Sequence, residues 1–213
     1  LLKAEELRGG KLWYPYLGSG LGKGALVELV DGSVKYDFIS GIGAHYLGHN
    51  HPAMLESGID AALSDTLQQG HLQQNSDSVE LMESLVQLAN KKASSLKHCF
   101  LTTSGAMANE NALKMVFQKN HPATRILSFH KCFSGRTMAL AQLTDKAAYR
   151  SGLPNAMEVD YIPFYDAENP KESTAAAISA LHAHLARFPG EHAAMCLELV
   201  QGEAGYFAGS KAF

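Results

Sequence analysis

Thr102-Thr103-Ser104-Gly105-Ala106-Met107-Ala108-Asn109-Glu110-Asn111-Ala112-Leu113-Lys114 is the stretch that decides how this chain folds. It follows a short β-type run, Cys99-Phe100-Leu101, and opens directly into a helical pattern. A strand that turns through Ser-Gly-Ala into a helix leaves several backbone N–H groups unpaired at the positive end of the helix dipole. That makes an anion site, best suited to a phosphate. Gly105 lets the backbone come close to the anion, and Ser104 can add a hydroxyl donor. A plainer reading stands beside this one. Ser104 also suits an N-cap, Glu110 and Lys114 are spaced for an ion pair, and Ala108, Ala112, Met115 and Val116 have the spacing of a buried stripe.

Outward from this turn, strand and helix patterns alternate. Residues 98–103 read as a strand, 105–119 as a helix and 124–129 as a second strand. A helix is expected from near Gly135, a strand from about Glu158 to Ile162, an alanine-rich helix from about Lys171 to Arg187, and a buried strand from Ala193 to Val200. Upstream, apolar spacing predicts one helix from Pro52 to about Leu67, with Met54, Leu55, Ile59, Ala62 and Leu63 in its pattern. A second is expected from about Asp77 to Asn90, with Val79, Leu81, Met82, Leu85, Val86 and Leu88 on its inner side. The first thirty-odd residues read as glycine-rich and irregular. Within them Leu26–Val30 and Val34–Phe38 flank Asp31-Gly32, a signal for a small antiparallel hairpin. The expected architecture is α/β: a mostly parallel sheet with helices on both faces, plus a small N-terminal antiparallel segment.

Composition narrows the function. At 213 residues and 46% hydrophobic content the chain can bury a sizeable core, and its net charge of -3 gives no electrostatic reason to expect nucleic acid or an anionic membrane as partner. No apolar run approaches the length that spans a bilayer. Cys99, Cys132 and Cys196 lack paired spacing and read as reduced thiols of a cytoplasmic protein, not as a disulfide framework or a zinc site. His49 and His51, like His182 and His184, lack acidic or thiol partners at ligand spacing, so no metal site is expected. The chain starts at Leu1 and stops at Phe213 within apparently continuing structure, and it is expected to be a piece of a longer protein.

Three more stretches carry chemistry. Phe133-Ser134-Gly135-Arg136-Thr137 follows the second strand; a bare arginine beside a helix start is unfavourable without an anion, which speaks for a ligand there. Glu198-Leu199-Val200-Gln201-Gly202-Glu203-Ala204-Gly205 lies at the carboxyl end of the last strand, where open α/β sheets bind ligands. Gly41-Ile42-Gly43-Ala44-His45-Tyr46-Leu47-Gly48-His49-Asn50-His51-Pro52, preceded by Tyr36-Asp37-Phe38, forms a glycine-rich loop.

Together, and in this order, the four stretches resemble the class III pyridoxal-phosphate (PLP) aminotransferases, the group of acetylornithine, ornithine and 4-aminobutyrate aminotransferases. Three positions depart from the family's pattern: Met107 stands where Glu is usual, Ser134 replaces a common His, and Leu199 replaces a proline. The resemblance implies a fold-type I PLP-dependent transferase, with residues 1–50 as an N-terminal small-domain segment and active-site loop. Residues 51–213 would then be the first, truncated part of the large PLP-binding domain. It implies that Ser104, Gly105 and Ala106 hold the cofactor phosphate, that Phe133 stacks on the pyridine ring, and that Glu198 is a carboxylate near the cofactor. Arg136 would clamp a substrate carboxylate through its two-pronged guanidinium. Glu203 resembles the residue that pairs with an arginine from a later part of ornithine-type members.

The resemblance also implies a catalytic lysine and an aspartate against the pyridine nitrogen, both downstream of Phe213, so no catalytic residue is assigned here. The expected activity is transfer of the amino group of an ω-amino acid, of acetylornithine, ornithine, 4-aminobutyrate or lysine type, to 2-oxoglutarate. Homodimers with shared active sites are expected, the chain alone being inactive. Alternatives are a related PLP enzyme such as an aminomutase, or a non-catalytic, truncated protein that binds a phosphorylated ligand or a partner.

Overall fold

A computed structural model describes residues 1–64, 72–92 and 95–213. The chain divides into two units, Leu1–Glu80 and Leu81–Phe213.

In the first unit, helix α1 (Leu2–Arg8) precedes a three-stranded antiparallel sheet of β1 (Gly18–Lys23), β2 (Leu26–Leu29) and β3 (Val34–Tyr36). The expected hairpin is present, with Leu26 opposite Tyr36 and Glu28 opposite Val34. Asp31 closes its turn by accepting from the Ser33 N–H at 3.0 Å and the Ser33 hydroxyl at 2.7 Å. Neither α1 nor β1 was legible in a segment expected to be irregular. β1 reads Gly-Ser-Gly-Leu-Gly-Lys, a poor strand by propensity, and the β2 ladder holds it in place through Gly18 opposite Leu29 and Lys23 opposite Leu26. A short left-handed turn, α2 (Ser40–Gly43), with φ of +58° at Gly41 and +57° at Ile42, precedes α3 (Pro52–Leu63). The expected end of α3 at Leu67 lies outside the described residues. Helix α4 (Ser76–Ala89), followed by a 3₁₀ turn at Asn90–Lys92, matches its expected span. Of the face expected to turn inward, only Met82 and Val86 are half-buried. None of its residues is buried, and Val79, Leu81, Leu85 and Leu88 are exposed.

The glycine-rich loop is tied together by Asp37. One carboxylate oxygen accepts the N–H groups of Ile39 and Ser40 at 2.8 and 2.9 Å, while the other meets His49 Nε2 at 2.7 Å. Gly48 sits at φ +83°, where a Cβ would come within 2.9 Å of the Gly24 backbone. The motif that carries the resemblance here is a structural clasp.

The second unit is built on a parallel sheet of order β5-β4-β6, formed by β4 (Arg125–Phe129), β5 (Glu158–Ile162) and β6 (His192–Met195). Helices α5 (Gly105–Lys119), α6 (Met138–Leu143), α7 (Ala147–Arg150) and α8 (Pro170–Arg187) connect it. Side chains of β4 alternate between two cores. Ile126 packs with Leu113 of α5 and with Leu140 and Leu143 of α6. Leu127 and Phe129 pack with Ile162 and, on the other face, with Ala180 and Leu181 of α8. Helices therefore cover both faces, as expected. Each fully buried leucine or isoleucine here contributes roughly 1.5–3 kcal/mol of transfer free energy.

Three local expectations are corrected. Residues 98–103 join no ladder, so the strand expected before the anion turn is absent among the described residues; a strand exists only with a pairing neighbour, and apolar content cannot supply one. The buried stripe of α5 runs through Leu113, Val116 and Phe117, whereas Ala108, Ala112 and Met115 are exposed, because β4 and α6 approach from that other side. The strand expected from Ala193 to Val200 is two pieces. β6 ends at Met195, one further rung joins the Cys196 N–H to Leu127 at 2.8 Å, and β7 (Val200–Gln201) then pairs antiparallel with β8 (Phe207–Ala208). Glu198, between them, turns off the sheet toward Phe133.

Arg125, Asp160 and His192 link the three strands. Arg125 grips Asp160 through Nε at 2.7 Å and Nη2 at 2.9 Å, and His192 Nε2 lies 2.9 Å from the same carboxylate. The Arg125 guanidinium holds the Asp160 carboxyl down from 3.8 to about 2.

Candidate active site

Beyond the carboxyl end of β4 the chain makes a braced loop. Gln201, almost fully buried, donates from Nε2 to the His130 carbonyl at 2.8 Å, and Asp145 accepts the Lys131 N–H at 2.8 Å. The turn Phe133–Thr137 follows. Buried Thr144 accepts the Ser134 N–H at 3.0 Å and donates its own hydroxyl to the Gly135 carbonyl at 2.9 Å. Thr137 caps α6 and donates to Glu110, so the carboxylate expected to pair with Lys114 instead ties α5 to this turn. Asn109, also on α5, donates to the Ser134 carbonyl at 2.9 Å.

Gly135 explains how the two turns meet. It sits at φ +136°, and a Cβ there would fall 2.7 Å from Leu140 Cδ1 and 3.2 Å from the Ala106 Cβ. A side chain at 135 would push the Phe133–Thr137 turn away from the start of α5.

Ser104 is the N-cap of α5. Its hydroxyl oxygen accepts the Met107 N–H at 3.2 Å and its carbonyl accepts the Ala108 N–H at 3.0 Å. The N–H groups of Gly105 and Ala106 have no acceptor within the helix, since they belong to its first turn. Around Gly105 nothing lies within 4 Å of the position a Cβ would take. Both residues line an open cavity of about 640 Å³ that is also walled by Asn109 and by residues 133–137. Uncommitted N–H groups at a helix N-terminus, open space in front of them and a facing arginine form a donor set suited to a phosphate-bearing ligand. Arg136 lies 5.9 Å from the centre of the Tyr149 ring, and among the described residues it has no carboxylate within ion-pair distance.

The structure thus brings four of the expected site residues, Gly105, Ala106, Phe133 and Arg136, to one cavity. It does not bring Ser104, Glu198 or Glu203 to that lining. Glu198 accepts the Phe133 N–H at 3.0 Å and the Gly202 N–H at 3.4 Å, which fixes the backbone carrying the aromatic ring. Glu203 pairs with Lys146 at 2.9 Å. Phe133 meets the Tyr149 ring edge-on, with centroids 6.4 Å apart. Sequence reasoning assigned no role to Asn109, Thr144 or Tyr149. Only the position of Asn109, one helical turn beyond Gly105, could have pointed to it. The thiols of Cys132 and Cys196 are pushed up by burial and are poor nucleophiles.

A parallel α/β sheet with an open helix start and an arginine-bearing turn beyond its carboxyl edge defines the class: the fold-type I transferases. Within that class the aminotransferase class-III family description matches residues 19–213, and the chain belongs to this family. It is 30% identical over 196 residues to the acetylornithine aminotransferase of Methanocaldococcus jannaschii, covering 89% of this chain and 44% of that protein. It is 32% identical over 198 residues to the acetylornithine aminotransferase of Corynebacterium efficiens, covering 90% of this chain and 45% of that protein. The chain therefore spans less than half the length of these relatives. Its fold matches the structure of taurine:2-oxoglutarate aminotransferase from Bifidobacterium kashiwanohense in complex with PLP and glutamate, with a TM-score of 0.82 and 19% identity over 98% of this chain and 50% of that one.

Proposed function

We propose that this chain is the N-terminal part of a PLP-dependent aminotransferase that moves the amino group of an ω-amino acid to 2-oxoglutarate. The donor would be of acetylornithine, ornithine, 4-aminobutyrate or lysine type. The observation that carries this reading is the shared cavity: free N–H groups of Gly105 and Ala106 face the same space as Phe133 and Arg136. Gly105 and Ala106 would hold the cofactor's phosphate at the positive end of α5, with Ser104 keeping that helix start in shape. Phe133 would lie against the flat pyridine ring, its backbone held by Glu198. PLP, when bound, supplies the electron sink that makes transfer of an amino group possible. Arg136, with no carboxylate within ion-pair distance among the described residues, would take a substrate carboxylate through its planar fork and so orient the amine.

Among the described residues no lysine lines the cavity, and the lysine that handles the proton is proposed to come from sequence beyond this chain. A homodimer with shared sites is the proposed assembly, and exposed apolar faces on α3 and α4 support it: Met54, Leu55, Ile59, Leu81, Leu85 and Leu88 all lie open to solvent. The test is borohydride reduction of the full-length protein followed by mass spectrometry of its peptides. A pyridoxyl-lysine peptide is expected, and its absence would remove the aminotransferase reading.

A further inference from the structure

Among the described residues the Arg136 guanidinium makes no hydrogen bond or ion pair, yet it has a neighbour: its central carbon lies 5.9 Å from the centre of the Tyr149 ring. Phe133 meets the same ring edge-on, with centroids 6.4 Å apart. Phe133 and Arg136 both line the cavity, whereas Tyr149 does not. Tyr149 is firmly held. Its helix, α7, hangs on the Thr144 carbonyl, which accepts the Lys146 N–H at 2.8 Å and Arg150 Nη1 at 2.7 Å. The Thr144 hydroxyl binds Ser134 and Gly135, so one buried threonine anchors both the ring and the turn that it meets. Lys146 also lies 4.9 Å from the ring centre, but Glu203 balances its charge.

We propose that Tyr149 is a positioning residue for two side chains of the cavity, holding the Arg136 guanidinium ready for a ligand carboxylate and setting the tilt of the Phe133 ring. A carboxylate partner within the chain would occupy the N–H donors that a ligand needs. An aromatic ring attracts the guanidinium charge through its quadrupole and leaves those N–H edges open. Arg136 is exposed, so without support its side chain would lose rotamer freedom on gripping a ligand. A ring contact made beforehand removes part of that loss. The edge-on contact restrains Phe133 in the same way, since ring pairs favour this geometry at this spacing. Tyr149 itself does not touch the ligand; it acts through Arg136 and Phe133. This inference rests on the cavity being the binding site and names a residue that decides how tightly its arginine grips.

Calorimetric titration of the full-length protein with butyrate, a carboxylate that carries no transferable amine, tests it without recourse to turnover. Tyr149→Leu should weaken butyrate about three-fold or more, as expected for loss of an accessible cation–π contact. Tyr149→Phe keeps the ring and should stay within about 1.5-fold of the unaltered protein. Arg136→Met should itself bind butyrate more weakly. Adding Tyr149→Leu to Arg136→Met should then change the affinity no further, because the side chain that Tyr149 positions is gone. Tyr149→Met carries the same expectations should Tyr149→Leu not fold. Unchanged butyrate affinity in Tyr149→Leu, an equal loss in Tyr149→Phe, or the same loss with and without Arg136 overturns the proposal. A pyridoxyl-lysine peptide found alongside any of those results would sink this inference alone and leave the aminotransferase reading standing.

Discussion

Gly135 and Phe133 divide the work of the cavity between backbone and side chain. Gly135→Ala places a methyl group in the left-handed region and within 2.7 Å of Leu140. Strain and overpacking together should cost about 2–4 kcal/mol, read as a lower denaturation midpoint in urea. An unshifted midpoint would mean that the two turns are not in contact. Phe133→Ala removes only the ring and spares the N–H that Glu198 accepts. Cofactor binding should weaken by roughly 1–3 kcal/mol, followed by absorbance titration with PLP; unchanged affinity would end the stacking assignment. The residue types of this site were legible, because an aromatic, a glycine and an arginine in succession are unusual after a strand. The brace was not. Thr144 lies ten positions from Ser134, and nothing in its neighbours distinguishes it from an ordinary N-terminal or loop threonine.

Among the elements, α5 was readable to both ends, since Ser104 supplies its cap and Asn120-His121-Pro122 follows its last turn. The last strand was not, because whether Glu198 continues a ladder or turns toward Phe133 depends on a partner 65 residues away. The sheet's charge cluster yields a pH prediction at this scale. Asp160 is held by Arg125 and His192, with His184 Nδ1 at 3.6 Å and Glu158 4.0 Å from Arg125. Its carboxyl titrates near 3.8 when unfolded and at about 2 when folded. A depressed folded value means stabilisation that is fully present above about pH 4 and is lost as pH falls toward about 2, worth on the order of 2 kcal/mol. Denaturation of the protein and of Asp160→Asn should therefore differ most at neutral pH and converge between about pH 4 and pH 2. A gap independent of pH would show that the cluster does not bind protons differently on folding.

For the molecule as a whole, apolar surface is the property with the clearest consequence. Neither α3 nor α4 buries a single residue, and Trp13, Phe38 and Tyr46 are likewise open. Expressed by itself, the chain should bind the dye ANS strongly and associate with itself in sedimentation experiments. Weak dye fluorescence from a monomer would mean that these faces are covered within the chain. By itself the sequence determined the α/β class, the order of most helices and strands, the capped start of α5 and the family, because periodicity, caps and short motifs are local properties of neighbouring residues. The tertiary structure decided which apolar stripes are buried, that residues 98–103 join no ladder, that Glu198 supports Phe133 and that Lys146 meets Glu203. Each of those depends on groups far apart in the chain, and only folding determines which of many possible partners comes within reach.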